Sequence, residues 1–233
     1  VDVEPLALVH RQDMRHVAMR TFVLGTLMVL ALLAVGFWVG IGERSYAYLF
    51  LTLASQALYL ACVGGEVRAL PWLAELVGPD LRVGRMFGLL GVLASNSFVA
   101  LYLNLPERHP RFMRVLHGCN AVLLLLLLAN LGSAAGWLGW LANAVFVVSA
   151  MTTFFASVRG ALSRQREAYF MVLSWAPMIA LVMLRMGELL GGWRNPEWME
   201  YAFPIGLAMG GLVLTIGLTD HMHQMRRDRD HAR

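Results

Sequence analysis

Lysine is missing from this chain: all nineteen basic residues are Arg. A retinal pigment needs a Lys in its last membrane span for the Schiff base, so a rhodopsin-type photoreceptor is excluded. Cysteine is nearly missing too, and Cys62 and Cys119 are too few for a disulfide framework. The topology derived below sets them near opposite faces of a bilayer, beyond the ~7 Å that separates bridgeable Cα atoms, so two free, packed thiols are expected. Charge is scarce, at 15% of residues, against about a quarter in a soluble domain. It vanishes between Arg114 and Arg159, where forty-four consecutive residues carry none and include the run Val122-Leu-Leu-Leu-Leu-Leu-Leu-Ala129. A bilayer-spanning helix needs about 20 apolar residues, because roughly 30 Å of hydrocarbon is crossed at about 1.5 Å per residue. This stretch therefore holds two membrane helices, joined by the turn Gly132-Ser-Ala-Ala-Gly136.

What is present agrees: 58% of residues are hydrophobic and the mean hydropathy is +0.61. Charge-free stretches place span one at Thr21–Ile41, span two at Tyr46–Gly65 and span three at Met86–Leu105. Spans four and five lie within Val115–Val158, span six runs from about Ala168 to Leu190, and span seven is Tyr201–Thr219. The expected fold is all-α, a polytopic bundle of seven transmembrane helices. Residues 1–20 are expected to be a linker from an upstream domain, and residues 220–233 a cytoplasmic helix leading to a downstream module.

Seven spans put the termini on opposite sides, and Arg placement orients them. With the C-terminus inside, the inner segments hold eleven Arg, Arg44, Arg108, Arg111 and Arg114 among them, and the outer segments hold seven. The N-terminus is thus expected outside and the C-terminus inside. The formal charge of +4 is not a nucleic-acid signal, because the Arg residues flank membrane helices and the partner they imply is lipid. Between spans two and three, Leu70-Pro-Trp-Leu-Ala-Glu-Leu-Val77 reads as a short interfacial helix. Trp72, Trp137, Trp140, Trp193 and Trp198 form an aromatic belt at the same outer boundary. Past span seven, Leu218, Met222 and Met225 begin a heptad-like stripe suited to a helix that leaves the membrane.

Catalytic chemistry is poorly supported. His221 and His223 are two apart and point to different helix faces. His109 and His117 lack the carboxylates of an intramembrane metal hydrolase, and Ser95, Ser97 and Ser174 have no His–Asp companions at matching depth. No metal, no cofactor and no catalytic residue are expected. Ionisable residues within the membrane are better markers, because an unpaired charge there costs about 3 kcal/mol or more. Arg185 and Glu188, three apart on one helix face, are expected to pair. Either they are a snorkelling pair at the outer interface that sets the depth of span six, or, with Glu66, Glu200 and Tyr201, they are the candidates for the wall of an outward-facing, ligand- or signal-receiving cavity. The matching relay candidates at the other end are Asp220, Met222 and Met225. Asn96, Asn120, Asn130 and Asn143 read as interhelical hydrogen bonds. Gly36/Gly40, Gly84/Gly88, Gly187/Gly191 and Gly206/Gly210 permit close helix approach.

Several motifs resemble one family. They are the turn Glu43-Arg-Ser-Tyr-Ala-Tyr48, the loop Leu103-Asn-Leu-Pro-Glu-Arg-His-Pro-Arg-Phe-Met-Arg114 and Arg185 near the end of span six. Glu200-Tyr-Ala202 with Ile205-Gly206, and Leu218-Thr-Asp-His-Met222, continue the match. In order and spacing these resemble the bacterial seven-transmembrane receptors with diverse intracellular signalling modules. The chain departs from that pattern at Leu33-Ala34, where a Tyr-Asn pair is common, and at Gly210 or Gly211, where a Glu is common. The resemblance implies a bacterial inner-membrane protein acting as a homodimer. It also implies an extracytoplasmic sensory domain, of carbohydrate-binding type, before Val1, and a histidine kinase or diguanylate cyclase after Arg233. The reading is thus a non-catalytic transmembrane relay that passes a periplasmic signal to a cytoplasmic module. A small secondary transporter or channel is the alternative; it should show a polar midplane, broken helices and an internal repeat. An intramembrane enzyme is a third and weaker one.

Overall fold

The computed structural model describes residues 6–69, 71, 74, 75, 81–132, 135–189 and 199–231, with the side chains of most of them. Seven long helices are found among these residues: α1 (Leu6–Ile41), α2 (Arg44–Gly64), α3 (Leu81–Tyr102), α4 (Pro110–Gly132), α5 (Gly136–Leu162), α6 (Arg166–Leu189) and α7 (Met199–His231). Within hydrocarbon each backbone N–H must bond inside its own segment, which leaves helix as the only choice for these apolar runs. Six of the described helices are long and apolar enough to cross a membrane. The remaining one, α6, is 24 residues long and carries Arg166 and Glu167 in its first turn. The chain is an all-α, multi-pass membrane domain.

The connections on one side of the bundle are short. Gly42 turns α1 into α2 at φ 77°, where a side chain would be strained, and its N–H bonds Trp38 O at 2.7 Å. Asn104 adopts φ 48°, which Asn tolerates better than most residues. It starts a single helical turn, Leu105–Arg108, that buries Leu105 completely. This side, which also holds the α5–α6 turn and the exit of α7, is the Arg-rich end.

Several boundaries differ from expectation. Helix α1 starts at Leu6, so most of the expected linker is helix continuous with span one. Helix α3 starts at Leu81, five residues before Met86, and takes Arg82 and Arg85 out of the connection. Asn130 of α4 explains how that start holds: its Nδ2 donates to Arg82 O at 3.0 Å, and its Oδ1 accepts from Arg85 Nη1 at 3.3 Å. Most of the expected interfacial helix Leu70–Val77 lies outside the described residues.

The helices form a ring in chain order that closes where α7 meets α1, and α3 also touches α5 while α2 touches α7. Lipid matches the outer faces. In α4, Leu123, Leu126 and Asn130 point inward, whereas Leu124, Leu125, Leu128 and Leu131 are exposed. The closest pairing is α2 with α3. A methyl group at Gly84, Gly88 or Gly91 would lie 3.2, 3.3 or 3.4 Å from Cys62, Tyr59 or Ser55 respectively. Gly36 and Gly40 meet nothing within 4 Å. Cys62 and Cys119 are both free.

Deep in the bundle, Asn96 of α3 donates from Nδ2 to Asn120 Oδ1 of α4 at 2.8 Å and to Ser149 Oγ of α5 at 3.2 Å. Asn143, also expected to bond across helices, makes no hydrogen bond among the described residues and is exposed. Replacing Asn96 with Leu should lower stability by about 1 kcal/mol, the scale of interhelical hydrogen bonds in membranes. Unfolding in detergent reads the change, and an undiminished transition would show that the three-helix node contributes nothing.

Candidate functional site at the exit of the last helix

Helix α7 is one element of 33 residues, and at its exit from the bundle three other helices grip it. The motif Glu43-Arg-Ser-Tyr-Ala-Tyr48 opens α2 and buries Tyr46 to 1% exposure. Tyr46 Oη donates to the carbonyl of Leu218, 172 residues later, at 3.4 Å. Phe37 of α1 packs on Tyr46 with ring centroids 5.4 Å apart. Leu218 is fully buried. At Gly217, a methyl group would sit 2.7 Å from the Phe170 ring of α6 and 2.8 Å from Tyr102 Oη of α3, so these two side chains lie directly on the α7 backbone. Tyr102 is itself stacked on Phe98 at 5.3 Å. Asp220 Oδ2 lies 3.3 Å from Arg166 Nε at the start of α6. These contacts form a collar around Gly217–Asp220.

Above the collar, glycines again seat α7. A methyl at Gly206 would meet Met178 Sδ at 2.7 Å, and one at Gly211 would meet Leu53 at 2.7 Å. Ser174 Oγ donates to Gly210 O at 3.2 Å. At these glycines the neighbouring side chains rest on the α7 backbone itself. Nothing among the described residues of this site resembles a nucleophile with its base. Among the described residues no group of His, Cys, Asp and Glu could hold a metal ion. At the same end of the bundle, burial together with the nearby Arg159 and Arg108 pushes His109 below the usual histidine pKa, so it is uncharged near neutral pH.

At the other end, Glu66 follows the close of α2 and is engaged by Arg20 of α1. The guanidinium pairs with both carboxylate oxygens, Nη2 to Oε2 at 3.1 Å, and Nη2 also donates to Leu60 O at 3.0 Å. The guanidinium lies over Gly64, where a methyl would fall 1.4 Å from Nη2. Glu66 therefore straps α1 to α2. Arg185 and Glu188 are on α6, and Glu200 and Tyr201 are in the first turn of α7, but their side chains lie outside the described residues. The side chains of Met222 and Met225 do so as well, while Asp220 belongs to the collar.

Sequence reasoning missed Arg20, Tyr46, Tyr102 and Phe170, each of which acts on a residue remote in the chain. The absence of a side chain at Gly217 is what lets Phe170 and Tyr102 close on the helix. Sequence reasoning also gave Leu218 to a stripe for a partner, and that is corrected: Leu218 is spent inside its own bundle, leaving such a stripe to start at Met222.

This geometry defines a polytopic helical membrane domain whose last helix is gripped at the exit and then runs on. The family model for 7TM diverse intracellular signalling matches residues 17–221, and the chain belongs to that family. No curated protein and no solved structure matches it significantly. The domain is accordingly a signalling receptor region.

Gly217→Ala should destabilise the fold by about 1–3 kcal/mol, the usual scale of overpacking. Adding Phe170→Leu should recover part of the loss, because it removes the obstructing ring. A silent Gly217→Ala in detergent melting would show that the exit is not tightly gripped.

Proposed function

We propose that this domain relays a periplasmic signal to a cytoplasmic histidine kinase or diguanylate cyclase module, with α7 as the moving part. The observation that carries this reading is the continuity of α7 through the collar. At 1.5 Å per residue its 33 residues span about 50 Å, against roughly 30 Å of hydrocarbon, so about 20 Å extends beyond the membrane core. The mechanism is a population shift between two packings of the ring around α7. Signal reception falls to the end opposite the collar, where Arg185, Glu188, Glu200 and Tyr201 occupy helix termini. Beyond Asp220, Met222 and Met225 carry the stripe along which two copies pair in the whole protein.

A transporter would break its helices at the midplane. Here α6 and α7 run on as single helices through Pro177 and Pro204, and Asn96 is satisfied by Asn120 and Ser149, which favours the relay.

The orientation assigned to the relay puts the Arg-rich end in the cytoplasm. Reporter fusions after Ser45, Arg111 and Arg164 should then read cytoplasmic, and a fusion near Ala134 periplasmic. A consistent reversal would overturn the direction of signalling.

The relay itself is tested by insertions after Asp220 in the whole protein. One inserted residue turns everything downstream by about 100°, while seven nearly restore the helical phase. Output that varies with phase across one to seven insertions is expected. Output indifferent to the inserted length would leave the tail as a flexible tether.

A further inference from the structure

The ring encloses a cavity of about 470 Å³ between α2, α3, α5, α6 and α7, within the roughly 300–1,000 Å³ of small-molecule sites. Along α2 its wall runs from Leu49 to Val63, about 21 Å of helix rise. Along α7 it runs from Phe203 to Leu214, which is one turn short of Leu218 in the collar. The cavity is therefore elongated, and apolar residues such as Leu89, Phe146, Trp175, Met178 and Leu207 supply most of its lining.

Its polar groups sort along that length. Towards the Arg-rich end they are committed within the protein. Thr52 Oγ1 donates to Tyr48 O at 2.8 Å, Asn96 bonds Asn120 and Ser149, and Ser174 bonds the Gly210 carbonyl. Towards the other end two of them are not. The amides of Gln56 and Asn143 line the cavity and make no hydrogen bond among the described residues. Arg85 donates through Nη1 to Asn130 Oδ1 and Ala135 O, both at 3.3 Å, and no carboxylate of the described residues pairs with it. An anion placed beside a guanidinium in a partly dehydrated zone forms strong charge-assisted hydrogen bonds.

The geometry points to a binding site for an acyl chain bearing an anionic head. The chain follows the apolar length towards Leu214, and the head meets Arg85, with Gln56 and Asn143 as further hydrogen-bonding groups. A free long-chain carboxylate and an anionic phospholipid share this chemistry. Binding stands on the cavity alone. Only its consequence, a chain lying against the glycine face of α7, rests on the relay reading.

The test is a titration of the protein in phosphatidylcholine nanodiscs with dibromostearic acid, beside the corresponding dibromostearyl alcohol. Bromine quenches tryptophan on contact, and Trp175 lines the cavity. The expected result is a saturable quenching component that disappears in Trp175→Phe, with the alcohol binding about tenfold or more weakly than the acid. Arg85→Gln should erase the preference for the acid. A second arm uses nanodiscs of brominated phosphatidylglycerol without added acid. Quenching of Trp175 that unlabelled stearic acid displaces identifies the free acid as the preferred occupant, and quenching that it does not displace identifies the phospholipid chain.

Equal binding of acid and alcohol, a saturable component that survives Trp175→Phe, or no saturable component at all would overturn the site. Arg85→Gln also loses the bonds to Asn130 and Ala135, so the comparison of acid with alcohol on the unsubstituted protein decides the matter if that variant is unstable. No signalling output enters these measurements. Failure here therefore leaves the relay intact, and an insertion series without phase dependence leaves the site intact.

Discussion

Apolar side chains gain nothing by leaving lipid for the flank of another helix, because the tails around them are just as apolar. The bundle must therefore be held by contacts that lipid cannot match, namely close backbone approach and polar groups that find one another. Both are concentrated where the helices meet. Gly84, Gly88 and Gly91 bring α3 onto α2, and Asn96 ties α3 to α4 and α5. Arg20 and Glu66 strap α1 to α2 at one end, while Tyr46 and Asp220 hold α7 at the other. The many exposed Leu and Val side chains need no further explanation once lipid is the solvent.

These devices are unevenly distributed, and the unevenness gives the domain its mechanical character. The Arg-rich end is filled: Leu103, Leu105, Leu116, Met171 and Leu218 are all buried there in one cluster with Tyr46 and Tyr102. Towards the opposite end the ring surrounds an elongated cavity, and a second, smaller cluster of Leu89, Leu123, Leu126 and Leu138 joins only α3, α4 and α5. Helix α7 thus borders the cavity with one face along Phe203–Leu214, where Gly206 and Gly211 also pack on Met178 and Leu53, and is gripped again at Gly217–Leu218.

How much of this was legible in the sequence follows from the range of each interaction. The spans came from gaps between charges and the Gly132–Gly136 turn from its small residues, which are local signals. The glycine pairs Gly84/Gly88 and Gly206/Gly210 were visible as spacings. That Gly36/Gly40 faces open space was not, since spacing carries no information about what lies opposite. Arg82 and Arg85 were placed in a connection because charge was taken to end a span, whereas Asn130 bonds both and lets α3 start earlier. Glu66 was read as a candidate for the wall of an outward-facing cavity; its partner Arg20 lies 46 residues away and no periodicity links the two. The collar joins Tyr46 to Leu218 and Gly217 to Phe170 and Tyr102. Each motif was recognisable by resemblance, but their meeting around one helix is a property of the ring.

The strength of the collar bears on whether it can serve as a switch. Moving a two-state equilibrium from 1:99 to 99:1 takes about 5.5 kcal/mol, so a grip much stronger than that would be immovable, and one far weaker would hold no state at all. The hydrogen bond from Tyr46 to the Leu218 carbonyl is long, at 3.4 Å, and interhelical hydrogen bonds in membranes average about 0.6 kcal/mol. The Arg166–Asp220 pair is solvent-accessible, with its side chains 66% and 33% exposed, which places it among ion pairs worth about 1 kcal/mol or less. These two polar contacts together are thus worth well under the switching energy. What sets the register of α7 is steric: Phe170 and Tyr102 fit against Gly217 and exclude neighbouring residues that carry side chains. On the relay proposed for this domain, a steric register with only weak polar contacts beside it would let events at the far end shift the seat of α7.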